Sequence, residues 1–324
     1  MLVSILVPIF GVEKYIEKCV VSLLEQDYKE IEYIFVNDCT IDRSIDVLKS
    51  VLKLYPNRAS SVKIINHDTN KGLAAARNTA IANSSGDYVF IVDSDDWIHA
   101  TTIRETMTIA TSEGADIVNV GVEVHYEDRT VSKIVSFQSK EDNLLALLDK
   151  SIFCNIWGRL IKKSLFVVNG IKCIEGANMG EDFCQITKLM YFANKVSYVN
   201  EPLYNYNCMN SGGYTINYSY NHIVQVWKNY DDVCAFFRNK EEVYRSDTPD
   251  EIVKELSMLK AQDVSVVDTT AAGIFFDAGF LYALDRGASL KDCLSLGTCL
   301  AEHIVGVAGT QLSDDVWQEI RKKC

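Results

Sequence analysis

The first hundred residues alternate between short apolar runs and helix-length amphipathic segments, and this alternation limits the possible folds more than any other feature. Strand-like runs occupy residues 2–7, 31–36, 62–66 and 88–92, and helices are predicted over 12–26, 41–55 and 72–82. In the first helical segment Tyr15, Cys19, Leu23 and Gln26 recur at helical spacing beside charged Glu13, Lys14, Glu17 and Lys18. Strand and helix taking turns at this period means βαβ units and a parallel sheet. All the strands then point their carboxyl ends toward one edge, where open α/β folds bind ligands. That edge receives Pro8-Ile9-Phe10-Gly11, Asn37-Asp38-Cys39-Thr40, His67-Asp68-Thr69-Asn70-Lys71 and the acidic run Asp93-Ser94-Asp95-Asp96.

The acidic run is the most chemically informative of the four loops. It follows a buried-type strand and places three carboxylates within four residues. Side chains alternate along an extended chain, so Asp93 and Asp95 project to the same side and Asp96 to the other. Like charges that close need a cation or a raised pKa to relieve them. An all-oxygen set suits Mg²⁺ or Mn²⁺, especially with phosphate oxygens completing the shell. The competing reading is that Ser94, Asp95 or Asp96 caps a helix near Thr101-Thr102, although a cap needs only one such residue.

Composition narrows the partners. The chain has 324 residues, 48% hydrophobic and 23% charged, and 32 basic against 44 acidic residues give a net charge of −12. That balance argues against broad nucleic-acid binding, which needs a basic footprint. No run of eighteen apolar residues occurs; the nearest, 271–284, is interrupted by Asp277. The sequence opens on a strand-like run without a basic n-region, and its ten cysteines form no C-x-x-C pair. The resulting expectation is a cytoplasmic protein with reduced thiols.

Beyond residue 115 the pattern changes. Residues 117–124 and 131–137 read as an antiparallel hairpin turning at Glu127-Asp128, followed by a short helix over 143–148 and an aromatic stretch around Trp157. Gly180-Glu181-Asp182 opens a helix over 183–192, a strand follows over 195–199, and the chain reads as helical from about Asn221. The expected division is 1–220 as the catalytic α/β domain and 221–324 as a mainly helical region.

Other candidate groups carry alternatives. Asp38 ends the second strand and can accept a hydrogen bond from the N–H of a flat ring, or make an ordinary Asx-turn. Arg77 can reach a diphosphate or lock the aspartate loop, whereas the usual fate of a lone arginine is a surface salt bridge. Glu181 and Asp182 suit proton abstraction from a hydroxyl, or capping of the helix that follows them. There is no G-x-x-x-x-G-K-[ST], G-x-G-x-x-G, G-x-S-x-G or H-E-x-x-H motif, and the five histidines are dispersed.

Taken together, Val3-Ser4-Ile5-Leu6-Val7-Pro8-Ile9-Phe10, Phe35-Val36-Asn37-Asp38, Asn70-x-Gly72-x-Ala74-x-Ala76-Arg77-Asn78, Val92-Asp93-Ser94-Asp95-Asp96, Trp157-Gly158-Arg159-Leu160, Gly180-Glu181-Asp182 and Leu203-Tyr204-x-Tyr206 resemble the family 2 glycosyltransferases. The resemblance covers about residues 2–215, and the final hundred residues show none. It implies a GT-A fold, a mostly parallel sheet flanked by helices, and inverting transfer from a nucleotide-diphosphate sugar. In that pattern Pro8, Phe10, Asp38, Arg77, Asp93, Ser94 and Trp157 belong to the donor site, with Asp38 reading the base, commonly uracil, and Asp93 on the ribose side. Asp95 would ligate a divalent cation, Mn²⁺ or Mg²⁺. Asp182 would be the general base, and Glu181 would shape the acceptor side.

The implied acceptor is a saccharide or lipid-linked saccharide used in cell-surface polysaccharide synthesis. For the tail the candidate roles are a lid, a homodimer contact or peripheral membrane association at the inner face of the membrane. A rival of another class is a degenerate domain that binds a nucleotide-sugar or a partner without turnover. A sugar-phosphate nucleotidyltransferase would want a basic glycine-rich loop after the first strand, which Pro8-Ile9-Phe10-Gly11-Val12 does not supply. Three positions depart from the family pattern: Gly11 replaces an asparagine, Cys39-Thr40 a glycine-serine, and Asn207 an arginine that helps hold the diphosphate.

Overall fold

The computed structural model describes residues 1–134, 136–137, 139–148, 152–210 and 220–238. Those up to Phe236 pack as one compact unit. In chain order the elements are β1 (Val3–Ile9), α1 (Ile16–Leu24), β2 (Ile31–Asn37), α2 (Ser44–Leu52), α3 (Pro56–Ala59), β3 (Val62–Asn66), α4 (Leu73–Asn83), β4 (Tyr88–Ile91) and β5 (Trp97–Ile98). There follow α5 (Thr102–Glu113), β6 (Ile117–His125), β7 (Thr130–Lys133), α6 (Lys140–Leu148), β8 (Arg159–Lys162), α7 (Lys163–Asn169), α8 (Glu181–Phe192), β9 (Val196–Asn207) and α9 (Tyr220–Arg238).

The strands form one sheet in the order β3-β2-β1-β4-β8-β6-β9-β5, with β7 paired to β6. The predicted strand–helix alternation is the parallel half: β1 pairs parallel with β2 and β4, and β2 with β3. All seven residues of β1 and all four of β4 are buried, as strands covered on both faces must be. In the other half β8 runs antiparallel to β4 and β6, whereas β6 and β9 are parallel. The expected hairpin is present as β6–β7, but β6 is also an inner strand of the main sheet.

Local chemistry moves several boundaries. Asp42 takes the backbone N–H and the hydroxyl of Ser44 at 3.0 and 2.6 Å, so α2 starts at Ser44 rather than at residue 41. Pro56 has no N–H to continue a helix and instead opens the separate turn α3. Strand β9 runs far past residue 199, to Asn207, because its second half pairs with both β6 and β5. Residues 239–324, most of the region expected to serve as a lid, a dimer contact or a membrane contact, lie outside the described residues.

Candidate functional site

Four loops meet at the carboxyl edge of the parallel strands, tied by side chains of their own residues. The hydroxyl of Thr40 accepts the N–H of Gly11 at 2.9 Å, and Ser44 accepts that of Val12 at 3.1 Å, joining the loops after β1 and β2. Pro8 lies buried within β1, and Phe10 beside it is 47% exposed at the edge. Cys39, in the position where the family pattern carries glycine, has φ +58°, the left-handed conformation that glycine adopts without strain.

The local side-chain turn belongs to Asn37, not to Asp38: the Asn37 side chain accepts the N–H of Thr40, three residues on, at 2.9 Å. Asp38 instead crosses to the third loop. Its carboxylate accepts the backbone N–H groups of Lys71 and Gly72 at 2.8 and 2.7 Å and the Nδ1 of His67 at 2.7 Å. Gly72 has φ +87°, and a Cβ there would strike the Asn178 side chain, whose Oδ1 caps the start of α4 by accepting the N–H of Ala74 at 3.0 Å.

Arg77, on the second turn of α4, does not make the surface salt bridge usual for a lone arginine. Its side chain is only 2% exposed and holds three carboxylates. Nη2 donates to Asp93 at 3.0 Å, while Nη1 donates to Glu181 at 2.8 Å and to Asp182. Residues far apart in sequence are thereby brought to one point, the aspartate loop on one side and the first turn of α8 on the other. Glu181 and Asp182 are not helix caps; α8 begins at Glu181 after Gly180, which has φ +76°. Burial pushes both carboxyls up, Asp182 raises Glu181 further, and Arg77 opposes the rise in both. The N–H of Ile156 also favours the ionised form of Asp182.

None of the acidic run caps α5, which starts at Thr102 after the strand β5. Asp96 is 1% exposed, accepting the Tyr204 hydroxyl at 2.6 Å and the Asn207 N–H at 2.8 Å. It braces the loop against β9. Burial, and then the charge of Asp93, raise the pKa of Asp95, and the Asn210 amide donates to its Oδ2 at 2.8 Å. Ser94 is buried between them at 6% exposure. Asn207 is also a brace, its amide donating to the Asp95 carbonyl at 3.2 Å and accepting the Met209 N–H at 3.1 Å.

Among the described residues no three histidine, cysteine, aspartate or glutamate side chains converge as a cation held by protein alone would require. A cation held by Asp95 and completed by phosphate oxygens does fit: an oxygen donor whose charged form is destabilised by burial and by a second carboxylate gains from a nearby positive charge.

Trp157 is 6% exposed and stacks on Tyr204 and Tyr206, with ring centroids 4.5 and 5.0 Å away. The loop before it is held by Arg159, whose Nε and Nη2 donate to the carbonyls of Asn155 and Phe153 at 2.8 and 3.1 Å. Burial lowers the Arg159 pKa to about 10. Sequence reading did not foresee three supports of the site: His67, Asn178 and α9. Asn229 of α9 is fully buried and donates to the carbonyls of Ala177 and Met179 at 3.2 and 2.8 Å, and Gln225 accepts the Asn178 N–H at 2.8 Å. Polar residues on an amphipathic helix give no sequence signal of the loop they will meet.

The profile of "Glycosyl transferase family 2" matches residues 4–168, half of the chain. The chain belongs to glycosyl transferase family 2. This family 2 chain is 30% identical over 213 residues to "Uncharacterized glycosyltransferase EpsJ" of Bacillus subtilis, an alignment covering 63% of the chain and 60% of that relative. The chain therefore spans less than two thirds of that relative's length. Among solved structures, S. aureus TarS 1-349 in complex with UDP-GlcNAc superposes with a TM-score of 0.58 at 18% identity, covering 94% of this chain and 92% of that one. The mannosyltransferase PcManGT from Pyrobaculum calidifontis, in complex with GDP-Man and Mn²⁺, superposes with a TM-score of 0.51 at 15% identity, over 91% and 85% of the two chains. At these identities the likeness establishes the fold, which is GT-A. Residues 240–317, beyond the described region, match the profile of "pfkB family carbohydrate kinase", so the tail is not without resemblance. No helix among the described residues is long and apolar enough to cross a membrane.

Proposed function

We propose that this chain is an inverting glycosyltransferase that moves a sugar from a nucleotide-diphosphate sugar, with uridine as the preferred nucleoside, to a saccharide or lipid-linked saccharide of a cell-surface polymer. The observation that carries this reading is the Arg77 junction, which gathers Asp93 from the acidic loop and Glu181-Asp182 from α8 around one buried guanidinium. A donor-side loop and a candidate base thus share one edge of the sheet. The GT-A neighbours caught with UDP-GlcNAc, and with GDP-Man and Mn²⁺, support the donor class and the cation.

In this reading Pro8, Phe10, Asp38, Arg77, Asp93, Ser94 and Trp157 form the donor site, and Trp157 acts from beneath through its stack on Tyr204 and Tyr206. Asp95 holds a divalent cation, which offsets charge on the departing diphosphate. Asp182 accepts the proton of the acceptor hydroxyl. Burial raises its pKa, and Arg77 and the Ile156 N–H oppose that rise. One base suffices, because inversion forms no covalent intermediate. Glu181 shapes the acceptor side. Residues 1–220 would carry the chemistry, braced by α9, and the remainder of 221–324 would serve as a lid, a dimer contact or a membrane contact.

The test is a thermal-shift screen of nucleotide-sugars with Mn²⁺, followed by turnover of the stabilising donor by wild type, Asp95→Ala and Asp182→Asn. The expected result is stabilisation by UDP-sugars, loss of the Mn²⁺ response in Asp95→Ala, and a kcat lower by about 10²-fold or more in Asp182→Asn, the scale of general-base loss. Donor binding without turnover in wild type would favour the degenerate-domain reading. If no nucleotide-sugar binds, the proposal fails.

A further inference from the structure

Asp38 is supplied with more hydrogen-bond donors than a base-reading carboxylate needs, and the extra donor is a side chain. The β2–β3 register places Asn37 opposite Asn66, so Asp38 and His67 leave adjacent parallel strands side by side. His67 is 8% exposed, and its Nδ1 lies 2.7 Å from Asp38 Oδ1. An ionised carboxylate only accepts, so Nδ1 carries the hydrogen, and in the neutral ring Nε2 accepts the Thr79 hydroxyl of α4 at 2.9 Å. Oδ1 also accepts the Lys71 N–H, whereas Oδ2 accepts only that of Gly72 among the described residues.

A carboxylate oxygen has two acceptor positions. With two donors on Oδ1 and one on Oδ2, a single position remains, on Oδ2. We propose that His67, held by Thr79, is a positioning residue that fills Asp38 Oδ1 and leaves one acceptor site, so that the pocket takes a base offering a single N–H and disfavours one offering two. This inference rests on the reading of Asp38 as the base contact. Uracil presents one imide N–H flanked by carbonyls. Guanine presents an adjacent ring N–H and amino group, which a carboxylate meets best with both oxygens. Filling Oδ1 therefore selects uridine over guanosine without any group touching the part of the base that differs.

The experiment is calorimetric titration of the full chain with UDP and with GDP, each with Mn²⁺, for wild type, His67→Ala, His67→Asn, Thr79→Val and Asp38→Ala. In His67→Ala the ratio of UDP to GDP affinity is expected to fall about tenfold, the equivalent of about 1.4 kcal/mol. His67→Asn, whose amide can replace the Nδ1–H donor, should restore the ratio to within threefold of wild type. Thr79→Val should lower it at least threefold, and this variant carries the test if His67→Ala does not fold. A purely structural role for His67 would weaken UDP and GDP by the same factor; an unchanged ratio in both His67→Ala and Thr79→Val overturns the inference. Asp38→Ala separates the two readings. If it leaves UDP affinity intact, the base-contact reading fails; if it abolishes UDP binding while the other ratios stay fixed, only the role of His67 fails.

Discussion

Replacing Arg77 by methionine removes the one cation from a point where three carboxylates meet, and the outcome follows from charge and burial. The guanidinium is 2% exposed, while Asp93, Glu181 and Asp182 are 24, 7 and 23% exposed. Methionine is about as long and fills most of the space, so the lost packing is small and the loss of charge dominates. Two unit charges about 4 Å apart interact with about 4 kcal/mol at an effective dielectric of 20. Three uncompensated carboxylates cannot all stay ionised against that repulsion, so the cheaper route is to take up a proton. Protonating a carboxyl at pH 7.5 costs about 1.4 kcal/mol for each unit by which its pKa lies below that pH, and less for Glu181 and Asp182, which burial already raises. The expected destabilisation of Arg77→Met at pH 7.5 is therefore about 3–5 kcal/mol, the range seen when one partner of a buried ion pair is removed.

The sign of the pH dependence makes this specific. Arg77 opposes the upward pKa shifts of Glu181 and Asp182, so without it both folded-state values rise further above the unfolded ones. The folded variant then holds more protons than the unfolded chain between the unfolded and folded pKa values, and its stability falls as pH rises through that window. Lowering the pH from 7.5 to 5.5 should return up to about 2.7 kcal/mol for one proton taken up, narrowing the gap to wild type. Urea denaturation followed by circular dichroism at the two pH values measures this. A loss under about 1 kcal/mol at pH 7.5, or a gap to wild type that does not narrow at pH 5.5, would refute the argument.

Two other changes probe backbone strain and the support from α9. Cys39 holds φ +58°, so Cys39→Gly should be neutral or stabilising by up to about 1 kcal/mol, while Cys39→Val, β-branched in the left-handed region, should cost about 2 kcal/mol or more in the same denaturation assay. Asn229→Ala orphans the carbonyls of Ala177 and Met179 beside Gly180 and should cost about 1–3 kcal/mol, with a lower kcat and an unchanged UDP affinity by calorimetry.

The legible part of this molecule was the part governed by local pattern. The runs 2–7, 31–36, 62–66 and 88–92 could be read as the parallel strands that became β1, β2, β3 and β4 because each is short, apolar and bounded by turn formers. The separation of Asp96 from Asp93 and Asp95 was expected from the alternation of an extended chain. The loop is instead a turn there, closed by the Asp96 N–H on the Asp93 carbonyl at 3.0 Å, and the bonds from Tyr204 and Asn207 hold Asp96 inward. What failed needed three-dimensional partners. Strand β8 is four residues long and exists because β4 and β6 offer edges on either side of it. The buried state of Arg77 could not be read from α4, because the carboxylates that make burial tolerable lie 104 and 105 positions away. Asp38 illustrates the same limit at short range: its neighbour Asn37 holds the turn by accepting the Thr40 N–H, and Asp38 crosses to the third loop.

The charges at the edge also constrain how a donor can enter. Asp93, Glu181 and Asp182 surround a single guanidinium with Asp95 two residues along the same loop, and Arg159, the other buried arginine among the described residues, is spent on Asn119 and the carbonyls of Phe153 and Asn155. A nucleotide diphosphate approaching alone meets this edge with like charge. Burial lowers the negative charge by pushing the carboxyls of Glu181 and Asp182 toward protonation, but that remedy works against a base that must be ionised to act. In the proposed reading a cation at Asp95 would resolve the conflict from the other side, because it would admit the diphosphate and lower the pKa of the carboxyls around it. The Asp95→Ala arm of the donor screen therefore reports more than a lost ligand. If Asp95 is the cation's holder, its removal should abolish the Mn²⁺ dependence of UDP binding; if it is merely a repelling charge, its removal should tighten UDP binding in the absence of metal.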